Sequence, residues 1–146
     1  MAFIPYQGDS ARVPPLEYHP SSAITPKVGM ALKMSSGKLA AATGADVPVY
    51  IAMCSRAAAC TAGDIIPVIR VQPDMIFETT AAASLASVAV GAKVTLHTDS
   101  LQVTGTEGGA AELVQMDGTA LGSRVLLRFA AAVEAADDNA ADGNEE

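Results

Sequence analysis

The 146-residue chain is half apolar and carries a formal charge of −7, long and apolar enough for one cored domain and unlike a wholly disordered chain. Six of its sixteen acids (Glu134, Asp137, Asp138, Asp142, Glu145, Glu146) fall in the last seventeen residues, which leaves ten acids against nine bases over residues 1–129. That near-neutral body, without a basic stripe or a run of eighteen apolar residues, argues against nucleic acid and membrane as partners.

Alanine and valine supply much of the apolar share, while Trp is absent and Phe and Tyr number three each. Small side chains in thin layers favour pleated strands over thick helices. Residues 1–26 hold five of the eight prolines, Pro5, Pro14, Pro15, Pro20 and Pro26, which fix φ, remove donors and keep the preceding residues extended. This Pro-rich stretch reads as an extended N-terminal arm anchored by Ile4, Tyr6, Leu16 and Tyr18. It is expected to lie along a neighbouring subunit, to fold back on its own domain, or to be a disordered terminus.

From Val28 the chain alternates. Val28, Met30, Leu32 and Met34 fall on one strand face, Ser35-Ser36-Gly37 turns, and Lys38–Ala42 returns to close a hairpin. A strand through Val47, Val49, Ile51 and Met53 follows, begun at an edge because Pro48 cannot donate to a ladder. Ile65–Val71 and Met75–Glu78 are further strands. Residues 79–89 form a short helix or a broad loop, since alanine dominates and the period of two lapses. The alternation resumes at Val90–Leu96 and Leu101–Thr104, and Ala111–Met116 and Arg124–Phe129 end the series.

The second hairpin repeats the first at an offset of about sixty-two residues. Val28, Gly29, Leu32, Met34, Leu39 and Ala41 stand against Val90, Gly91, Val94, Leu96, Leu101 and Val103, the pattern of a recurring hairpin or an old duplication. About eight short strands with close turns predict a mainly β fold, a compact antiparallel barrel or sandwich. The expected division is an arm over 1–26, a β domain over 27–129 and an acidic disordered tail over 130–146.

Catalytic and cofactor chemistry is not written in the sequence. There is no phosphate loop, HExxH or GxSxG, and His19 and His97 lack a nearby nucleophile or carboxylate set. Cys54 and Cys60 have no nearby His to complete a zinc site and read as small buried hydrophobes. No enzyme activity, metal or cofactor is expected. With no targeting signal, the chain is expected to be made in cytosol-like surroundings.

Residues 24–53, ITPKVGMALKMSSGKLAAATGADVPVYIAM, resemble the central stretch of the head-decoration, or cement, proteins of tailed bacteriophages. The likeness extends to Gly63–Val68 (GDIIPV) and Val125–Phe129 (VLLRF). It implies a β-tulip or sandwich-like domain that forms a homotrimer on the exterior of the virion and clamps the major capsid protein. The implied contact is an extended segment with Ile4, Pro5, Tyr6, Leu16 and Tyr18 meeting the partner. A carbohydrate- or cell-surface-binding β-module is the rival expectation, and the scarcity of aromatic platforms counts against it.

Overall fold

The computed structural model describes residues 3–7 and 15–129; the tail assigned to 130–146 lies outside them. Eleven strands follow in chain order: β1 (Ile4–Gln7), β2 (Leu16–Pro20), β3 (Ala31–Ser35), β4 (Lys38–Ala41), β5 (Tyr50–Ala52), β6 (Ile65–Arg70), β7 (Ile76–Thr80), β8 (Lys93–Leu96), β9 (Val103–Glu107), β10 (Ala111–Met116) and β11 (Arg124–Phe129). They form two antiparallel sheets, ordered β2-β6-β5-β3-β4 and β1-β7-β11-β10-β8-β9. No described residue is helical. The sheets share a core of Ala31, Ile51 and Ile69 from the first with Phe77, Val94, Leu113, Val125, Leu127 and Phe129 from the second, in the manner of a β-sandwich.

Of residues 79–89, open between helix and loop, Thr79 and Thr80 end β7 and the rest form a loop. Leu85 is fully buried in the shared core, and its neighbour Ser84 lies so close to β9 that a Cβ on Gly105 would overlap the Ser84 carbonyl. The described parts of residues 1–26 lie on their own domain. β1 pairs with β7, and β2 pairs with β6.

The two sheets repeat one design. Removing β1 leaves β7-β11-β10-β8-β9, which is the order β2-β6-β5-β3-β4 with each strand replaced by the fifth strand after it. The registers agree as well. Glu17↔Val68 and Pro20↔Ile65 correspond to Phe77↔Leu127 and Thr80↔Arg124. Ile51↔Ile69 and Ala31↔Ile51 correspond to Glu112↔Arg128 and Lys93↔Glu112.

Connecting loops match too. Gly29 and Gly91 hold φ of 89° and 97°, a left-handed geometry that glycine adopts at little cost. Their amides donate to Ala52 and Leu113 O, both at 2.8 Å. Gly63 and Gly122 likewise donate to Ser21 O (2.7 Å) and Ala81 O (2.8 Å). The hairpins differ in their turns, for Met34 pairs with Leu39 while Leu96 pairs with Val103, and the second also shifts register between Val94 and Leu96 where the first does not. The second turn is therefore longer, and Leu39 corresponds to Val103 instead of Leu101.

The units stack front to back. Call the face bearing Leu32, Tyr50, Ile66 and Val68 the front of the first sheet; register places Val94, Ala111, Val125 and Leu127 on the front of the second. The second front packs into the shared core, and the first front forms a separate cluster with Leu39, Ala52 and Cys60, closed over by Ile24, Met30 and Cys54 from loops. The back of the first sheet supplies Ala31, Ile51 and Ile69 to the core. The back of the second carries the ion pairs Arg124–Glu78 (2.8 Å) and Arg128–Glu112 (3.0 Å). A sheet covered on both faces reads as continuously apolar, and one with a solvated face alternates.

Candidate functional site

The strongest candidate for contact is the outer strand of the first sheet. Strand β2 ends the sheet order, so no described strand pairs with it on its far side. The direction of its free groups follows from its neighbour. Met53 N donates to Pro67 O at 3.0 Å, so the Pro67 carbonyl points toward β5 and the Tyr18–Pro67 pair is not hydrogen-bonded. Antiparallel pairs alternate. Glu17 and His19 therefore exchange backbone bonds with β6, while the N–H and C=O groups of Leu16 and Tyr18 point outward.

The same two residues expose apolar side chains. Leu16 is 50% and Tyr18 62% exposed, and Ile65, at the other end of the paired strands, is 54% exposed. All three lie on the back of the first sheet, beside the buried Ile69 with which Leu16 pairs. The front of β2 is polar and tied down. Arg70 donates through Nε and Nη2 to Glu17 Oε2 and Oε1 at 3.0 and 3.1 Å, and its Nη2 also donates to Tyr50 Oη at 3.0 Å. His19 Nε2 lies 2.9 Å from Glu17 Oε1, and its ring packs 4.8 Å from that of Tyr50. The His19 contact first, then Arg70, holds the Glu17 carboxyl below its ordinary range. The guanidinium of Arg70 is in turn held more firmly protonated, chiefly by Glu17. Bidentate pairing of this kind fixes geometry as well as charge.

Other strand edges are guarded. Residues after β2 run beside β4, with a parallel bridge between Ser21 and Leu39 and Ser22 N donating to Leu39 O at 2.8 Å. β9 is met in the same way by Ala81 and Ala82, whose amide donates to Val103 O at 2.7 Å. On β1, Ile4 pairs with Glu78 and Pro5 with Phe77. Alternation turns the Pro5 backbone away from β7, where its missing N–H removes one donor from the outer edge before the register shift that follows it. Thus Ile4, Pro5 and Tyr6 lie on an edge strand of one sheet, and Leu16 and Tyr18 on an edge strand of the other. Ile65 belongs with the latter pair, a residue sequence reading passed over because it opens a strand whose later members are core.

Convergent chemistry is sparse. Among the described residues no group of three His, Cys, Asp or Glu side chains could hold a metal. His19 contacts Glu17 and Tyr50. Cys54 and Cys60 are both thiols, Cys60 buried in the first-sheet cluster, and burial pushes the Cys54 thiol up, away from the reactive thiolate. A shallow cleft of about 390 Å³ is lined by Ile24, Thr25, Lys27, Met30, Thr98, Asp99 and Leu101, and Asp99 Oδ1 accepts from Leu101 N at 2.8 Å as a turn residue does. No helix is long and apolar enough to cross a membrane among the described residues. No protein-family model matches the sequence, and no curated protein matches it.

Proposed function

We propose that this chain is a decoration, or cement, protein of a tailed-phage head, bound to the major capsid protein on the capsid exterior and acting as a homotrimer. The observation that carries the reading is the edge strand β2, where outward backbone groups and exposed Leu16, Tyr18 and Ile65 offer adhesion without catalysis. The resemblance of residues 24–53 to cement proteins supplies the partner. Ile4, Pro5, Tyr6, Leu16 and Tyr18 form the contact region, carried on edge strands of a β-tulip-like body. Many weak identical contacts add up over a lattice, and a protein that binds only the expanded shell stabilises that shell by mass action.

Co-sedimentation with expanded capsids lacking the protein, together with its solution mass, tests this. Saturable binding at a fixed ratio to the capsid subunit and a mass near three chains are expected. A monomer that does not bind would turn attention to glycan arrays and the carbohydrate-binding reading.

A further inference from the structure

The repeated design holds one asymmetry that points to a ligand. In the second unit the outer edge of β7 is occupied, because β1 pairs with it at Ile4↔Glu78 and Pro5↔Phe77. By register, Glu78 and Phe77 correspond to Tyr18 and Glu17 of β2. The surroundings also correspond, since the parallel bridge Ala81↔Val103 limits the β7 edge as Ser21↔Leu39 limits the β2 edge. One fold thus leaves room for an added strand twice, and among the described residues only one place is filled.

The side chains differ in the sense expected of a covered place. Where the second unit sets Glu78 and Arg124 as an ion pair at 2.8 Å, the first has Tyr18 and Ile65, 62% and 54% exposed. Charges suit a face left in water, whereas exposed apolar pairs beside an open edge mark contact.

We propose that the Leu16–Tyr18 edge of β2 is a receptor for an extended segment of another protein, which adds there as an antiparallel strand in the place that β1 takes on β7. The segment brings an apolar side chain opposite Tyr18 and a neutral or basic one opposite Glu17. A second copy of β2 fits poorly. Leu16 opposite Tyr18 of the other copy sets Glu17 against Glu17, and like charges directly opposite are destabilising. Moving the centre to Tyr18 runs the incoming strand into the stretch where Ser21 already bridges Leu39. The inference names what the proposed contact surface takes, and it rests on the fold, so it can hold even if the partner is not a capsid.

The probe is a capped peptide with the sequence Phe3–Gln7, which is neutral throughout, titrated into the isotopically labelled full chain, whose β7 edge is already filled. Saturable amide shifts centred on Leu16 and Tyr18 are expected, weakened by roughly tenfold or more in Tyr18→Pro. That change removes an outward N–H while leaving the bonds of Glu17 and His19 to β6. Before peptide is added, the Leu16 and Tyr18 amides should exchange freely and those of Glu17 and His19 slowly, a reading that needs no variant. Shifts centred elsewhere, equal protection of the four amides, or a concentration-dependent mass abolished by Tyr18→Pro would each overturn the proposal. Peptide binding without capsid binding would remove only the cement reading.

Discussion

At matching places on their back faces the first unit carries Ala31, Ile51 and Ile69, and the second carries Lys93, Glu112 and Arg128. Strand order is shared and so is the register at these places, so the difference there lies in side chains. The fronts differ in the opposite sense at β2 and β7, where Glu17 and His19 stand against Phe77 and Thr79. A repeated sheet cannot use both copies alike when one is stacked behind the other. The copy in the middle must be apolar on its back, and the outer copy must be polar there.

The largest break in this comparison is a deletion in the shared core. Phe77 is fully buried and packs 5.3 Å from the ring of Phe129, so Phe77→Ala should cost about 3–5 kcal/mol by denaturant unfolding. Its counterpart Glu17 fills no core, and Glu17→Ala should cost much less. Equal losses would show that front-to-back stacking does not divide the units as described.

Gly105→Ala comes next. Its Cβ would meet the Ser84 carbonyl, forcing the 81–85 loop from β9 at a cost of about 1–3 kcal/mol, read from the same unfolding curves. No loss would mean that the loop is not seated against that edge.

Acid sharpens the comparison. Glu17 and Asp117 both have lowered pKa values, the first through His19 and then Arg70, the second through Gln115 and then Arg124. Each therefore adds stability that is present above its ordinary value, 4.5 or 3.8, and is lost as pH falls through the lowered one. Glu17→Gln should flatten the fall in melting temperature beginning below pH 4.5, and Asp117→Asn the part beginning below pH 3.8. The smallest effect belongs to Tyr18→Glu with Ile65→Arg, which copies the Glu78–Arg124 pair onto the first unit. Stability should stay within about 0.5 kcal/mol, as thermal melting would show.

Much of the β content was legible because its elements alternate cleanly. Ala111–Met116 and Arg124–Phe129 are strands at the expected bounds, and the shared Val-Gly turns before β3 and β8 revealed the hairpin repeat. The rest of the repeat was hidden by its burial pattern. Leu16–Pro20 and Ile76–Thr80 share a place but put polar and apolar residues on opposite faces, so no periodicity aligns them. Val28 lies in the turn at Gly29 and is half exposed, and the expected long strand through Val47 and Val49 shrinks to Tyr50–Ala52. At the candidate site Leu16 and Tyr18 stood out as apolar residues among prolines. The Glu17–His19–Tyr50–Arg70 cluster did not, because its members come from three separated strands that only sheet order brings together.

The rings of Phe3 and Phe129 lie 5.3 Å apart, so the first and last described strands meet in the same part of the core. Splicing the chain there and opening it in the Gln72–Asp74 turn would exchange the order of the two units along the gene while keeping every strand pair. Circular permutation is commonly tolerated where the joined points lie close together and the new opening falls in a turn. The order of the two units along the chain is then not dictated by their strand pairing.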